Sequence, residues 1–264
     1  MKNQVKEKFL QQETVFGTFS WAASEDVVEA LGYAGFDFLV IDTEHSPMDE
    51  TKAVNLLRVA QLKGLSPFVR VRDASRDAIL KMLDGGAAGL VVPGLVSVEE
   101  VQQMIRHGKY APLGERGFAQ SRPAGFGFEL YAKDIPSYFE LCNQETLLLP
   151  MCETAGFLNQ VEEIAALPGV DGIFVGPFDL SVALQAPGQF DTLEFNAALQ
   201  RIVAACQANA KPAFIFCANP GMAMRYAAMG YQGLALGIDL QVLVASYRSL
   251  VQEVQQELSK QPQE

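Results

Sequence analysis

The sequence predicts a single-domain (β/α)8 barrel (a TIM barrel), and three observations carry that reading. Short β-branched and aromatic runs alternate with helix-period stretches from end to end, the pattern of parallel strands joined by crossover helices. Eight such runs occur, and several are nearly all apolar, as in Phe38-Leu39-Val40-Ile41 and Leu90-Val91-Val92, which suits strands buried on both faces. The length of 264 residues is close to that of one such barrel, and no stretch reads as a linker dividing residues 1–264. With 49% hydrophobic and 19% charged residues, the chain has apolar surface for a large core and too little charge density for disorder.

The expected strands are 14–19, 37–42, 67–71, 89–93, 147–152, 171–175, 212–216 and 233–236. Helices between them carry start signals: Ser24 before Glu25 and Asp26, Ser97 with Glu100 as a capping box, and Asn219 followed by Pro220. A phrase in which a helix ends near glycine and runs into a strand recurs at Gly35-Phe36-Asp37, Gly86-Ala87-Ala88, Pro168-Gly169-Val170 and Gly230-Tyr231-Gln232. Its spacing varies, so it is repeated geometry and not a sequence repeat. The stretch 109–143 breaks the rhythm with Pro, Gly and aromatic residues; it is read either as part of the active-site mouth or as a structural excursion. The last helix, 241–258 with a polar tail, packs on its own barrel or on a neighbouring subunit.

Composition excludes some partners. A net charge of −11, from 20 Lys and Arg against 31 Asp and Glu, gives a field that repels nucleic acid and anionic membrane, so neither is an expected partner. An anionic small substrate remains compatible, because arginines placed in a pocket outweigh distant, screened charge. Cys142, Cys152, Cys206 and Cys217 form no CxxC pair and read as reduced and structural. Met1 through Lys8 is charged and lacks the apolar region of a leader, and no apolar run approaches a membrane span, so the expected compartment is the cytoplasm.

Catalytic groups of such a barrel come from the carboxyl ends of its strands. Strand two ends in Asp42-Thr43-Glu44-His45, strand three in Arg70 with Arg72 beyond, strand five runs into Glu153, and strand six into Gly176-Pro177-Phe178-Asp179. Glu153 and Asp179 lie one βα unit apart, on neighbouring strands about 4.8 Å from each other. Two carboxylates there, with no histidine or cysteine pair nearby, suit Mg²⁺ or Mn²⁺ with open positions for water and substrate; the alternative is that either acid caps the following helix. Asp42 three residues before His45 could orient the imidazole as a general base, or the two could form a satisfied polar turn. His107 reads as a surface residue at a helix C-terminus.

Arg70 stands in an otherwise apolar strand and needs a partner, either a structural carboxylate or the oxygen of a keto acid. A Schiff-base lysine is not expected, since the nearest candidate, Lys211, lies at a strand's start. No GxGxxG or GxxxxGKS phosphate loop occurs.

Taken together, these motifs resemble the HpcH/HpaI class II pyruvate aldolases over roughly Val15 to Val242. The resemblance rests on Gly35-Phe36-Asp37 leading to Ile41-Asp42-Thr43-Glu44-His45, on Val69-Arg70, Gly114-Glu115-Arg116-Gly117, Glu153-Thr154 and Gly176-Pro177-Phe178-Asp179-Leu180-Ser181. It implies that Glu153 and Asp179 hold Mg²⁺ or Mn²⁺, with Co²⁺ a further candidate. It implies that Asp42 and His45 handle protons, that Arg70 contacts the keto oxygen, that Glu44 bonds water on the metal, and that Asp84 reaches an adjacent subunit's site. Backbone amides around Gly176, Phe178 and Asp179 would hold the pyruvate carboxylate.

The resemblance also implies a homo-hexamer, with the last helix often exchanged between barrels. The expected activity is cleavage of a 4-hydroxy-2-oxo acid to pyruvate and an aldehyde, with the substrate held partly by Arg122 or other residues of the insertion. Two departures bear on the acceptor: Met151 stands where many relatives carry glutamine, and Phe178 where they carry a small residue. They leave room for two alternatives: formation of citrate from oxaloacetate and acetyl-CoA or a related CoA-thioester reaction, and a non-catalytic keto-acid-binding barrel.

Overall fold

The computed structural model describes residues 2–260, so Met1 and the tail from residue 261 on lie outside it. Eight parallel strands close into a barrel in sequence order: β1 (Val15–Ser20), β2 (Phe38–Asp42), β3 (Ser66–Arg70), β4 (Gly89–Val92), β5 (Leu147–Cys152), β6 (Ile173–Val175), β7 (Ala213–Cys217) and β8 (Gly233–Ile238). The fold class read from the sequence is the observed one, with strand positions agreeing to within a few residues.

Strand period 2 sorts the apolar residues into two cores. Phe38 and Val40 of β2 point into the barrel with Phe68, Val91, Leu147, Leu149, Met151, Phe174 and Phe214, whereas Leu39, Ile41 and Val69 face the helices. The interior is filled by aromatic rings: Phe38 stacks on Phe68 at 5.3 Å, and Phe174 on Phe214 at 5.9 Å. Small residues make that filling fit, since a Cβ on Gly233 would sit 2.0 Å from the Phe214 ring.

The helical layer consists of α2 (Glu25–Leu31), α3 (Glu50–Leu62), α4 (Arg76–Gly85), α5 (Val98–Gly108), α6 (Ile135–Glu145), α7 (Ala155–Asn159), α8 (Val161–Ala166), α9 (Pro177–Ala183), α10 (Leu193–Ala208), α11 (Pro220–Met229) and α12 (Asp239–Lys260). The expected caps form: Ser24, Ser97 and Asn219 accept from the amides of Val27, Glu100 and Met222. Glu100 turns instead to the amide of Val96, one residue short of a complete capping box. An N-terminal helix that the charge pattern concealed, α1 (Gln4–Leu10), closes the barrel's amino end, with Val5 fully buried and Phe9 edge-on to Phe214 at 5.2 Å.

The insertion does not build the mouth of its own barrel. It joins the end of α5 to the start of β5, and helix-to-strand connections run at the amino-terminal face, opposite the strand ends that carry chemistry. Its own small core of Tyr110, Ala124, Ala132, Tyr138 and Cys142 is pinned there by the buried Lys109, which donates to the carbonyls of Asn143 and Thr146 and pairs with Asp171 at 2.8 Å.

The final helix differs from the rest. Asp239 is its one buried residue, while Leu240, Val242, Leu243, Val244, Tyr247, Leu250, Val251, Val254 and Leu258 are 39–63% exposed. Among the described residues no helix is long and apolar enough to cross a membrane. All four cysteines are buried and free.

Candidate active site

Parity and register bring the charged strand ends together. Asp42 and Arg70 are the last residues of β2 and β3, paired in register and on the inward parity of Phe38 and Phe68. Arg70 Nε donates to Asp42 Oδ1 at 3.0 Å and Nη2 to Oδ2 at 2.6 Å, a bidentate fork with Asp42 fully buried. The guanidinium also lies 3.3 Å from Glu44 and 5.1 Å from the centre of the Phe19 ring. Of the two partners that the sequence offered Arg70, the structure shows the carboxylate, and a cavity lies in front of the guanidinium.

That cavity, about 130 Å³, is lined by Arg70 and Asp179 among Phe19, Met151, Phe174, Phe178, Phe216 and Ile238, with Gly176 and Pro177. Met151 faces inward and 1% exposed, supplying thioether where a side-chain amide would have offered hydrogen bonds. Phe178 is 60% exposed at the rim. A larger cavity, about 510 Å³, opens at the amino-terminal end beside Arg116 and Arg122 and contains none of the catalytic strand ends.

Across the mouth from Arg70 stand Glu153 and Asp179. Met151 and Cys152 pair with Phe174 and Val175, so the next step sets Glu153 beside Gly176; a Cβ there would lie 3.0 Å from Glu153 Oε2. Glu153 Oε1 accepts from the amide of Gly94 at 2.6 Å. Burial pushes the Glu153 carboxyl up to about 7, reinforced by the charges of Glu44 and Asp179 and opposed by Gly94 and Arg70. Burial likewise raises Glu44, against the pull of Arg70 and His45, and Glu44 Oε2 is buried without a hydrogen-bond donor. An under-neutralised group of carboxylates with an orphaned oxygen and a glycine-made hollow fits a divalent cation. Among the described residues no group of three or more His, Cys, Asp or Glu side chains is placed to hold a metal ion.

The Glu153 shift has a definite sign. A carboxyl whose folded pKa lies above its unfolded 4.5 keeps its full contribution to stability below about pH 4.5, where both states are protonated, and loses it as pH rises from there through about 7. A displacement of this size corresponds to about 3 kcal/mol. The thermal midpoint of protein stripped of metal is therefore expected to fall between pH 5 and 8 more steeply than that of Glu153→Gln. Parallel pH profiles for the two proteins would contradict this account.

The structure places three further expected site residues within their own barrel. Asp42 does not orient the His45 imidazole: both its oxygens serve Arg70, and from His45 it accepts the backbone amide alone, at 3.3 Å. The chain turns outward after β2, leaving the imidazole 56% exposed with Nε2 3.8 Å from Glu44 Oε2. Arg122 does not reach the mouth of its own barrel; at the opposite end it donates to Gly85 O and Gln61 Oε1. Asp84 lies at that same base, paired with Arg116 at 2.8 Å, so it faces no strand end of its own barrel. The base-lying Lys211 donates to the carbonyls of Ala165 and Leu167, as its place at a strand's start implied.

Three residues that the sequence reading missed also stand at the mouth: Trp21 after β1, Gly94 after β4, and Asp239 after β8. The strand-end rule finds each of them once it is applied to all eight strands. Gly176 and the first turn of α9, including Phe178 and Asp179, carry no side-chain cap.

The comparisons with known proteins bear on the family and the fold. The sequence profile described as HpcH/HpaI aldolase/citrate lyase matches residues 15–246. A hydroxypyruvate/pyruvate aldolase of Paraburkholderia phytofirmans is 33% identical, over 96% of this chain and 97% of its own. A 5-keto-4-deoxy-D-glucarate aldolase of an Enterobacter species is 34% identical, over 98% and 97%. Among solved structures, a family protein from Burkholderia cenocepacia superposes with a TM-score of 0.88 at 30% identity, covering 96% of this chain and all of that one. The citrate synthase SbnG does so at 0.86 and 25%, covering 97% and 98%. A family profile spanning nearly the whole barrel, and relatives at one-third identity end to end, join strand-end chemistry already visible in the fold: the chain belongs to the HpcH/HpaI aldolase/citrate lyase family.

Proposed function

We propose that this enzyme is a divalent-metal-dependent carbon–carbon lyase acting on the pyruvate end of a 4-hydroxy-2-oxo acid and releasing pyruvate and an aldehyde. The observation that carries the reading is a buried, Asp42-held Arg70 that shares one small cavity with Asp179, with Glu44 3.3 Å beside the guanidinium and Glu153 against Gly176 of the cavity wall. Glu153 and Asp179 would hold Mg²⁺ or Mn²⁺, with Co²⁺ as a further candidate. When bound, such a cation supplies Lewis-acid polarisation of the keto oxygen.

The chain's own groups do the rest. The Arg70 guanidinium is fixed in the direction where negative charge develops on the keto oxygen, and fixed donors there are worth more than mobile ones. Amides of the uncapped first turn of α9, around Gly176, Phe178 and Asp179, bind the substrate carboxylate. Phe19, Phe174 and Phe216 exclude water from the reacting carbon. His45, at the solvent side of Glu44, takes the proton of the 4-hydroxyl through water as the C3–C4 bond breaks and delivers a proton to C3, which becomes the methyl carbon of pyruvate. Phe178 at the rim narrows the acceptor side, and the aldehyde is one that tolerates an aromatic wall.

The base of a neighbouring subunit, carrying Asp84, Arg116 and Arg122, completes the mouth in a homo-oligomer, a hexamer by family resemblance. That assembly accounts for polar residues placed so far from their own barrel's chemistry.

The test is proton NMR of pyruvate in D₂O with the purified protein. Loss of the methyl signal with Mg²⁺ or Mn²⁺, abolished by excess EDTA, is expected. Added metal should also raise the thermal midpoint at pH 8 in the wild type and not in Glu153→Gln. No methyl exchange with any metal would overturn the pyruvate reading. The likeness to a citrate synthase favours one competitor, condensation of oxaloacetate with acetyl-CoA, and citrate formation without pyruvate exchange would select it.

A further inference from the structure

We propose that Trp21 is a positioning residue for this reaction, its indole N–H locking the Asp42 carboxylate so that Arg70 is held toward the substrate oxygen. The inference rests on the reading of Arg70 given above.

Asp42 is fully spoken for. Its Oδ1 accepts from Arg70 Nε at 3.0 Å and from the amides of Glu44 at 3.0 Å and His45 at 3.3 Å. Its Oδ2 accepts from Arg70 Nη2 at 2.6 Å and Trp21 Nε1 at 2.5 Å. Two oxygens offer about four lone-pair sites, so five donors leave no basic position free. Asp42 therefore acts as a mount for Arg70, and what matters is the orientation of its carboxylate plane. Aspartate χ2 is a broad, soft torsion. The amides on Oδ1 come from the strand's own turn, and Arg70 is the group being aimed. Trp21 supplies the remaining constraint, from the neighbouring strand β1 and on the oxygen the amides do not reach.

Trp21 is itself fixed from the other side. Asp239, 8% exposed where β8 meets α12, accepts the backbone amide of Trp21 on Oδ1 at 2.9 Å. Its Oδ2 accepts the Ser20 hydroxyl at 2.9 Å and the Ala22 amide at 3.1 Å. A continuous relay thus runs round the mouth through four adjacent strands, from Asp239 to Trp21 to Asp42 to Arg70. A purely apolar wall at position 21 would need the ring and not its N–H, and the substitution Trp21→Phe separates the two roles.

In Trp21→Phe the pyruvate exchange rate kcat is expected to fall about 10-fold, with KM within about 2-fold, because a hydrogen bond to a charged group is lost while an aromatic ring is kept. In an Arg70→Lys background the same substitution should have little further effect, since the two act through one fork. Wild-type kcat in Trp21→Phe, or an undiminished loss on top of Arg70→Lys, would overturn the proposal.

A second readout does not depend on turnover. The chain has a single tryptophan, so isotope-labelled protein gives one indole N–H resonance. That resonance should shift in Arg70→Lys; an unmoved signal would remove the link. Should the wild type fail to exchange pyruvate, the reaction assignment falls, and the indole shift still decides whether Trp21 holds the fork.

Discussion

Replacing Arg70 with alanine is expected to lower the metal-dependent exchange of pyruvate methyl protons by about 10²- to 10³-fold, the usual loss when one preorganised donor to a developing oxyanion is removed. The loss should fall on kcat, because the guanidinium contributes most when charge has moved onto the oxygen. Stability should fall as well. Burial alone would push the Asp42 carboxyl up, but the hydrogen bond and charge of Arg70, with the amides of Glu44 and His45, bring it below the usual carboxylate range. A depressed carboxyl contributes stability above its unfolded pKa of 3.8 and loses it only as pH falls through the lower folded value.

Without Arg70 the same carboxylate is buried and under-compensated at neutral pH, costing about 3 kcal/mol. The gap in thermal midpoint between Arg70→Ala and wild type should therefore be widest near pH 7 and narrow toward pH 4, as Asp42 takes up a proton in the variant. Arg70→Lys keeps the charge and loses the fork, so its deficit in exchange should be intermediate. An Arg70→Ala protein that exchanges pyruvate at near-normal rates would remove Arg70 from the mechanism.

The second large effect concerns α12. Nine apolar side chains stand half-exposed along it, with Leu243, Tyr247, Leu250, Val254 and Leu258 repeating at helical spacing. Covering each contributes about 1 kcal/mol and the set on the order of 10 kcal/mol, more than a surface helix leaves in water. We infer that a second copy of this chain covers the face. Light scattering is expected to give an oligomer for the wild type, with six times the chain mass if the hexamer forms. Changing Leu243, Tyr247, Leu250 and Val254 to serine should yield smaller species with a markedly lower thermal midpoint. A wild type that is monomeric at micromolar concentration would defeat both the helix assignment and the composite mouth.

Much of the site was legible before the fold was seen. Strand ends carry barrel chemistry, so Asp42, Glu44, Arg70, Glu153 and Asp179 could be picked from a linear chain, and each stands at the mouth. The side on which the insertion lies was legible too, since residues between a helix and the next strand belong to the amino-terminal face. Length and aromatic content drew attention to residues 109–143 as a mouth, and topology outweighs both. Trp21 escaped because a tryptophan after a strand looks like core, and nothing local says that its N–H meets a carboxylate 21 positions away.

What the sequence determined by itself was the barrel and the set of charged strand ends. These follow from the alternation of short apolar runs with helix-period stretches and from chain order, which are local properties. Only the tertiary structure decided which partner each charge takes. Asp42 lies three residues from His45 yet gives its oxygens to Arg70, because strand register sets Arg70 directly beside it while the turn after β2 carries the imidazole outward. Closure of the barrel does the same at the seam: it lays β8 against β1 and brings Asp239 to Trp21 across 218 residues of sequence, a neighbourhood that no local pattern encodes.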